Sequence, residues 1–288
     1  MKEAHNLRWG TIVDFRTVCR SILENWEIER IIPESIASKL KSININKIAI
    51  GELSGQDSIA AIIKASQQYN FEAILPVVVF TGTEFGSANF LKTSHDILRK
   101  RVKEVCNGIV LDTLLMYDFN FWWALNGRFI QAIISKYGSY SPCPGCHIYV
   151  HSMRIPLALK LNARYIISGA RENHDGKTKI NQAEVALNAY IELLKSWNID
   201  LLLPLRNIKY RNHIAQIIND GSHKMKDQFK CLFKSNYCDA NGEVFHNAAF
   251  VNNYYQGFGV PAAQKILNEL FKNPDTNLEE VMKAFMKT

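Results

Sequence analysis

What this chain lacks removes several classes of protein. Its first residues, Met1 to Asn6, do not have the basic-then-apolar layout of a secretory leader, and no apolar run approaches the ~20 residues that cross a bilayer. A cytoplasmic protein that stays out of membranes is therefore expected. No low-complexity tract or internal repeat occurs, which excludes solenoids and linker-like chains. No Gly-Lys-Ser/Thr follows a Walker spacer, and the three glycines of a dinucleotide fingerprint are absent. Neither an RRM signature nor a basic tail is present, so nucleic-acid binding has no dedicated appendage.

What is there is a chain of 288 residues, 47% hydrophobic, which is enough for a full core and one large α/β domain with appendages. The formal net charge of +7 favours a polyanionic partner, because Lys and Arg neutralise phosphates and release their counterions. Basic residues cluster at Lys92, Arg99, Lys100, Arg101 and Lys103 on an expected helix, and again at Lys209 to His213. Solvated faces would show the same clusters.

Residues 1–45 read as a helical N-terminal appendage, with Phe15, Val18, Ile22 and Trp26 at helical spacing and Ile32-Pro33 ending the run. From residue 46 to about 215, short β-branched runs alternate with longer amphipathic segments. Ile48–Gly51, Ala73–Phe80, Gly108–Leu115, Tyr165–Ser168 and Leu201–Leu205 are the expected strands. This pattern predicts a doubly wound, mostly parallel α/β sheet, with a C-terminal helical region over residues 216–288. Ligands bind such sheets beyond the carboxyl ends of the strands.

The first strand runs into Glu52-Leu53-Ser54-Gly55-Gln56-Asp57-Ser58 and then an Ala/Ile-rich helix. Backbone N–H groups and hydroxyls of Ser54, Gly55 and Ser58 would sit at a helix N-terminus, where unpaired donors attract a triphosphate or pyrophosphate. An ordinary cap by Ser54 or Asp57 is the plainer alternative. The fourth strand ends in the polar loop Gly169 to Gln182. There Arg171, His174, Lys177 and Lys179 could meet phosphate or developing negative charge, and Glu172 and Asp175 could bind Mg²⁺ or an incoming hydroxyl. A solvated loop turning at Asp175-Gly176 is the alternative.

Six cysteines in a reducing compartment argue against disulfides. Cys143-Pro144-Gly145-Cys146-His147 has four readings: a c-type haem attachment, which needs export; a thioredoxin-like pair, which belongs early in a small βαβ unit; a zinc site; or an iron–sulfur cluster on three thiolates. Zinc would need His147, His151, Cys231 or Cys238 to complete its ligands. Cys231 lies 88 positions after Cys143 and Cys238 lies 95 after it, so spacing leaves the third thiolate open, with Cys231 favoured. Cys19 and Cys106, in apolar helical contexts, read as small hydrophobes. A helix from Cys143 would carry His147, His151 and Arg154 along one face, making a basic edge beside the thiolates.

The turn resembles the Ser-Gly-Gly-x-Asp-Ser signature of the PP-loop (N-type) ATP pyrophosphatase superfamily. Aligned on Asp57 and Ser58, the family's Ser-Gly pair falls on Leu53 and Ser54, and Gly55 keeps the second glycine. The central Cys-x-x-Cys with a distant third cysteine is similar to the tRNA 2-thiocytidine and 2-thiouridine synthetases of that superfamily. The resemblance spans residues 46–240. It implies ATP and Mg²⁺ bound by Ser54, Gly55, Gln56, Asp57, Ser58, Thr81 and Gly169, with Asp57 orienting the loop or metal. It implies Arg171 and Lys177 as charge stabilisers, and a [4Fe-4S] cluster on Cys143, Cys146 and Cys231, with Zn²⁺ as the alternative. The implied reaction adenylates a substrate carbonyl and then inserts sulfur from a donor, with tRNA as substrate; a homodimer is compatible. Two rivals remain: an adenylating ligase for a small molecule that holds zinc, and a zinc-stabilised RNA-binding protein with a silent nucleotide loop.

Overall fold

The computed structural model describes residues 10–138, 140–219, 228–244 and 248–287, so the Met1–Asn6 segment lies outside it. Strand β1 (Gly10–Asp14) passes directly into α1 (Phe15–Leu23), whose first turn is capped by the Asp14 carboxylate on the Thr17 N–H, and α2 (Glu34–Lys41) follows. Next come β2 (Ile48–Glu52), α3 (Gln56–Tyr69), β3 (Ala73–Val79), β4 (Glu84–Phe85) and α4 (Asn89–Cys106). The middle of the chain is β5 (Ile109–Val110), β6 (Thr113–Tyr117), α5 (Phe119–Asn126), α6 (Ile130–Tyr137), α7 (Pro142–Ser152) and α8 (Ile155–Leu161). It closes with β7 (Tyr165–Ile167), α9 (Glu184–Lys195), β8 (Asp200–Leu202), α10 (Arg211–Ile218), β9 (Lys230–Cys231), α11 (Ala248–Tyr254), α12 (Val260–Lys272) and α13 (Leu278–Met286).

The central sheet runs in the order β1-β6-β3-β2-β7-β8, with β5 also beside β3, and every pairing in it is parallel. Strand side chains alternate between two cores, as period-two geometry requires. Along β3, Ala73, Leu75, Val77 and Val79 enter one core, while Ile74 and Val78 enter the other. Helices α1, α7, α8, α9 and α12 cover the first face; α3, α4 and α10 cover the second. The α/β, doubly wound expectation holds.

Two differences from the sequence reading have local causes. The stretch expected as one strand over 108–115 is two, β5 and β6, with Leu111 and Asp112 between them. β5 pairs with β3 at Ala73 and Ile74, and β6 takes over at Val77. Pro76 lies at this seam, where its missing N–H leaves no ladder bond unmade, so a proline survives in a central strand. The N-terminal segment, read as purely helical, contributes β1 to the sheet edge, in register with β6 from Gly10↔Thr113 to Asp14↔Tyr117.

Helices α11 and α12 are joined by a π-helical turn, Tyr255–Gly259. Pro261 lacks the N–H that would reach the Gly257 carbonyl one turn back. The Tyr137 hydroxyl donates to that carbonyl at 2.8 Å instead. The turn directs Tyr254, Tyr255 and Phe258 into the core. Among the described residues, no helix is long and apolar enough to cross a membrane.

Candidate functional site

From β2 the chain builds outward through β3 to β6, then returns to lay β7 and β8 on the other side of β2. The carboxyl ends of β2 and β7 therefore flank a topological switch point, the crevice where open α/β sheets take their ligands. The Ser54–Ser58 turn lies there. Gly169, just past β7, packs directly on it: a Cβ at that position would lie 2.5 Å from the Asp57 carbonyl carbon and 2.5 Å from the Ser58 nitrogen. Only glycine fits.

The turn is closed on itself. The N–H groups of Ser54 and Gly55 donate to Ser58 Oγ at 3.0 and 3.1 Å, and that hydroxyl donates to the Gly55 carbonyl at 2.7 Å. Gly55 has φ +156°, and a Cβ there would meet Gln228 Oε1 at 2.9 Å. Gln56 accepts from Arg211 Nη2 at 3.2 Å, which brings the basic cluster at 209–213 to the loop. Lys92, Arg99, Lys100 and Lys103 are instead exposed along α4.

Asp57 points into a basic surround. Arg171 Nε donates to its Oδ2 at 3.2 Å, and His174 Nδ1 lies 3.9 Å from the same oxygen. Arg171, expected as a charge stabiliser, is buried, and its Nη1 donates to the carbonyls of Asn173 and Lys209 at 2.7 and 2.9 Å. It fastens the loops after β7 and β8 to Asp57. Glu172 pairs with Arg206 at 2.6 Å, and Asp175 accepts from the Arg211 N–H at 2.9 Å. Asp175 and Gly176 have φ of +55° and +91° and form the two-residue turn of a small hairpin that bridges His174 to Lys177. Lys177, the other expected charge stabiliser, stands exposed on that hairpin. Lys179 is half-buried, and burial lowers its pKa, with Asp57 opposing.

Beneath the crevice, Glu52 accepts from Ser168 Oγ at 2.7 Å and Ser54 Oγ at 3.1 Å, with Arg154 Nη1 3.9 Å away. Burial alone would raise the Glu52 pKa; Arg154 is foremost among the groups that outweigh it and hold the carboxyl below its ordinary range. Helix α7 does carry Cys143, His147 and His151 along one side, with Arg154 following, and Pro156 starts α8. The face turns inward, so the expected basic edge beside the thiolates is corrected. Arg154 and His151 are each 1% exposed, and burial drops His147 to about 4 and His151 to about 3, leaving both rings neutral near pH 7. Glu52, an acid ending an apolar strand, is the member sequence reading passed over.

At the end of β3, Thr81 and Thr83 are buried, and Glu84 accepts from the Thr81 N–H and hydroxyl at 3.0 and 2.8 Å. β4 pairs with β9 in a short antiparallel ribbon that carries Cys231 back over this end of the sheet, with Thr83 Oγ1 3.5 Å from Cys231 Sγ. Cys143 and Cys146 approach from α7. Three sulfurs each have an N–H donor: Trp122 Nε1 on Cys146 at 2.8 Å, Asn236 Nδ2 on Cys143 at 3.3 Å, and the Phe233 backbone on Cys231 at 3.3 Å. N–H donors to sulfur stabilise thiolates, and such outer contacts tune metal–sulfur centres. Burial pushes the Cys143 thiol up to about 11 and Cys146 higher still, and both sense the charge of Cys231. Cys238, its backbone bridged to Val244, is also near enough for its charge to be felt by Cys143.

The donor set suits soft, thiolate-held metal. Among the described residues, no three His, Cys, Asp or Glu side chains converge tightly enough to hold a single ion. Cys19 is buried and Cys106 packs against the second core, as hydrophobes do.

No family model matches the chain. Over 272 residues it is 38% identical to the uncharacterized protein MJ0009 of Methanocaldococcus jannaschii, an alignment that covers 94% of this chain and 96% of that protein. The chain belongs to that protein's family. The shared length takes in the sheet, the cysteine helix and the C-terminal helices alike, so the relationship is one of whole chains.

Proposed function

We propose that this protein is a PP-loop ATP pyrophosphatase that adenylates a carbonyl oxygen, on a tRNA base, and then replaces that oxygen with sulfur. The observation that supports the reading is the switch-point crevice between β2 and β7, where the Ser54–Ser58 turn presents Asp57 to Arg171 and His174 and where the charge of Lys179 is felt by both Asp57 and Cys143. In the first step the carbonyl oxygen attacks the α-phosphorus of ATP, the bond to the β-phosphate breaks, and pyrophosphate leaves. Hydrosulfide then attacks the adenylated carbon, AMP departs with the original oxygen, and loss of the sulfur-bound proton leaves the thiocarbonyl. Asp57, with Mg²⁺, orients the polyphosphate, and Arg171 keeps Asp57 in place. A cluster held by Cys143, Cys146 and Cys231 would supply a seat for sulfide. The positive net charge of +7 supports an RNA substrate.

The rival with a silent nucleotide loop draws on one observation, the N–H groups of Ser54 and Gly55 already satisfied by Ser58. Metal and sulfide analysis of protein purified without oxygen, followed by pyrophosphate release from MgATP, separates the readings. Iron with labile sulfide is expected, together with pyrophosphate release that Asp57→Ala abolishes. Zinc without iron would favour the adenylating ligase. RNA binding without pyrophosphate release would select the silent-loop protein.

A further inference from the structure

Two lysines separated by one residue have opposite surroundings. Lys177 is exposed at the end of the Asp175-Gly176 hairpin. Lys179 has turned inward, just before the 3-10 turn Ile180–Gln182, whose Gln182 holds His174 through their side chains. His174 Nδ1 in turn lies 3.9 Å from Asp57 Oδ2, which folds the stretch bearing Lys179 against the start of α3, and groups on four segments lie within reach of the lysine's charge. It is felt by Asp57 on α3, by Arg171 beyond β7, by Cys143 and His147 on α7, and by Lys234 after β9. Two of those segments, α3 and α7, carry Asp57 and the Cys143–Cys146 pair. Among the described residues, no hydrogen-bond acceptor or ion-pair partner is in contact with the Lys179 ammonium. Cations that lose this much water are ordinarily paired. A half-buried lysine without an acceptor, set in a ligand crevice, is suited to an anion that arrives from outside.

Resting on the adenylation reading above, we propose that Lys179 is a catalytic residue, the cation that meets the negative charge building on the α-phosphate as the substrate carbonyl attacks it. Arg171 is held by its Nε and Nη1, which donate to Asp57 and to backbone carbonyls, so its part is to position Asp57. The charge of Lys179 is felt by Cys143 as well as by Asp57, so it is within reach both of the turn that would hold the phosphates and of the thiol where the carbonyl would meet sulfur. A charge placed there acts on the transition state more than on the bound triphosphate, so its loss should appear in turnover and not in nucleotide affinity.

The test uses the full chain purified without oxygen, with MgATP and unfractionated tRNA as probes. Pyrophosphate release gives turnover, and titration with MgATP gives affinity. Lys179→Met is expected to lower turnover at saturating ATP by roughly 100-fold or more, the scale of losing one preorganised charge stabiliser, with affinity changed by less than about threefold. Lys179→Arg, which keeps the charge, is expected to recover at least about tenfold of that loss. Thermal unfolding of both variants within about 3 °C of the parent would exclude misfolding as the cause. An active parent with an equally active Lys179→Met, or with turnover and affinity falling in proportion, overturns the assignment alone. A parent that binds no MgATP and releases no pyrophosphate overturns the adenylation reading, and the assignment falls with it.

Discussion

The two faces of the sheet are built to different rules. Under α3, α4 and α10 the core is mainly aliphatic, with Ile59, Ile62, Ile74, Leu98 and Leu115 buried in it, and its buried polar groups are small or paired: Ser66 and Ser94, and His95 with Thr113 at 3.0 Å. Under α7, α9 and α12 the core holds Arg154, His151, Tyr190, Tyr254 and Tyr255 among its buried side chains. His151 lies against the Tyr190 ring at 4.5 Å, and the Tyr190 hydroxyl meets that of Tyr255 at 2.6 Å. Burying polar groups is unfavourable unless they pair, and several here do not: Arg154 Nε, His151 Nδ1 and Tyr254 OH are all without a partner among the described residues. One face therefore supplies stability. The other gives some of it up to bring ionisable groups beneath the crevice.

The sharpest way to break this contrast is to cut the buried ion pair. Arg154→Met leaves Glu52 without its counter-ion and should destabilise the protein by about 3–5 kcal/mol in urea unfolding, whereas Arg154→Met with Glu52→Gln should recover most of that loss. A double variant no more stable than the single one would mean that the pair is not coupled. On the apolar face, Leu98→Ala should lower stability by about 3 kcal/mol through transfer and cavity terms, by the same amount at pH 5 and pH 8. A pH-dependent effect there would erase the distinction between the faces.

The smallest effect is the most diagnostic. His151 has its folded-state pKa depressed from 6.5 to about 3 by burial, so between those values the unfolded chain takes up a proton that the folded protein refuses. Stability at neutral pH is unaffected, and it declines as pH falls below 6.5, by about 2 kcal/mol at pH 5 for this one group. His151→Gln should flatten that decline in unfolding curves taken between pH 5 and 7. An unchanged slope would assign the acid sensitivity to other groups.

Much of this architecture is legible in the residues. β2, β3, β7 and β8 fall where β-branched runs predict, because strands buried on both faces have a continuous apolar signature. β1 is not legible, since Gly10–Asp14 enters a helix with no turn residue between and finds its partner over 100 residues away, at Thr113–Tyr117. The Ser54–Ser58 turn, the cysteine pair and Cys231 could be singled out from residue type and spacing. What completes them could not: Trp122 and Asn236 lie 24 and 93 positions from the sulfurs they contact. Lys177 and Lys179 are interchangeable in sequence, and only the hairpin at Asp175-Gly176 decides which of them turns inward.

Gly169 has one more consequence. With backbone resting on backbone at this point, β7 and the start of α3 are already as close as atoms permit. A ligand entering between them cannot draw these two walls together. The floor of the crevice is therefore set by the backbone itself, and any side chain larger than hydrogen at 169 would have to push β7 and α3 apart.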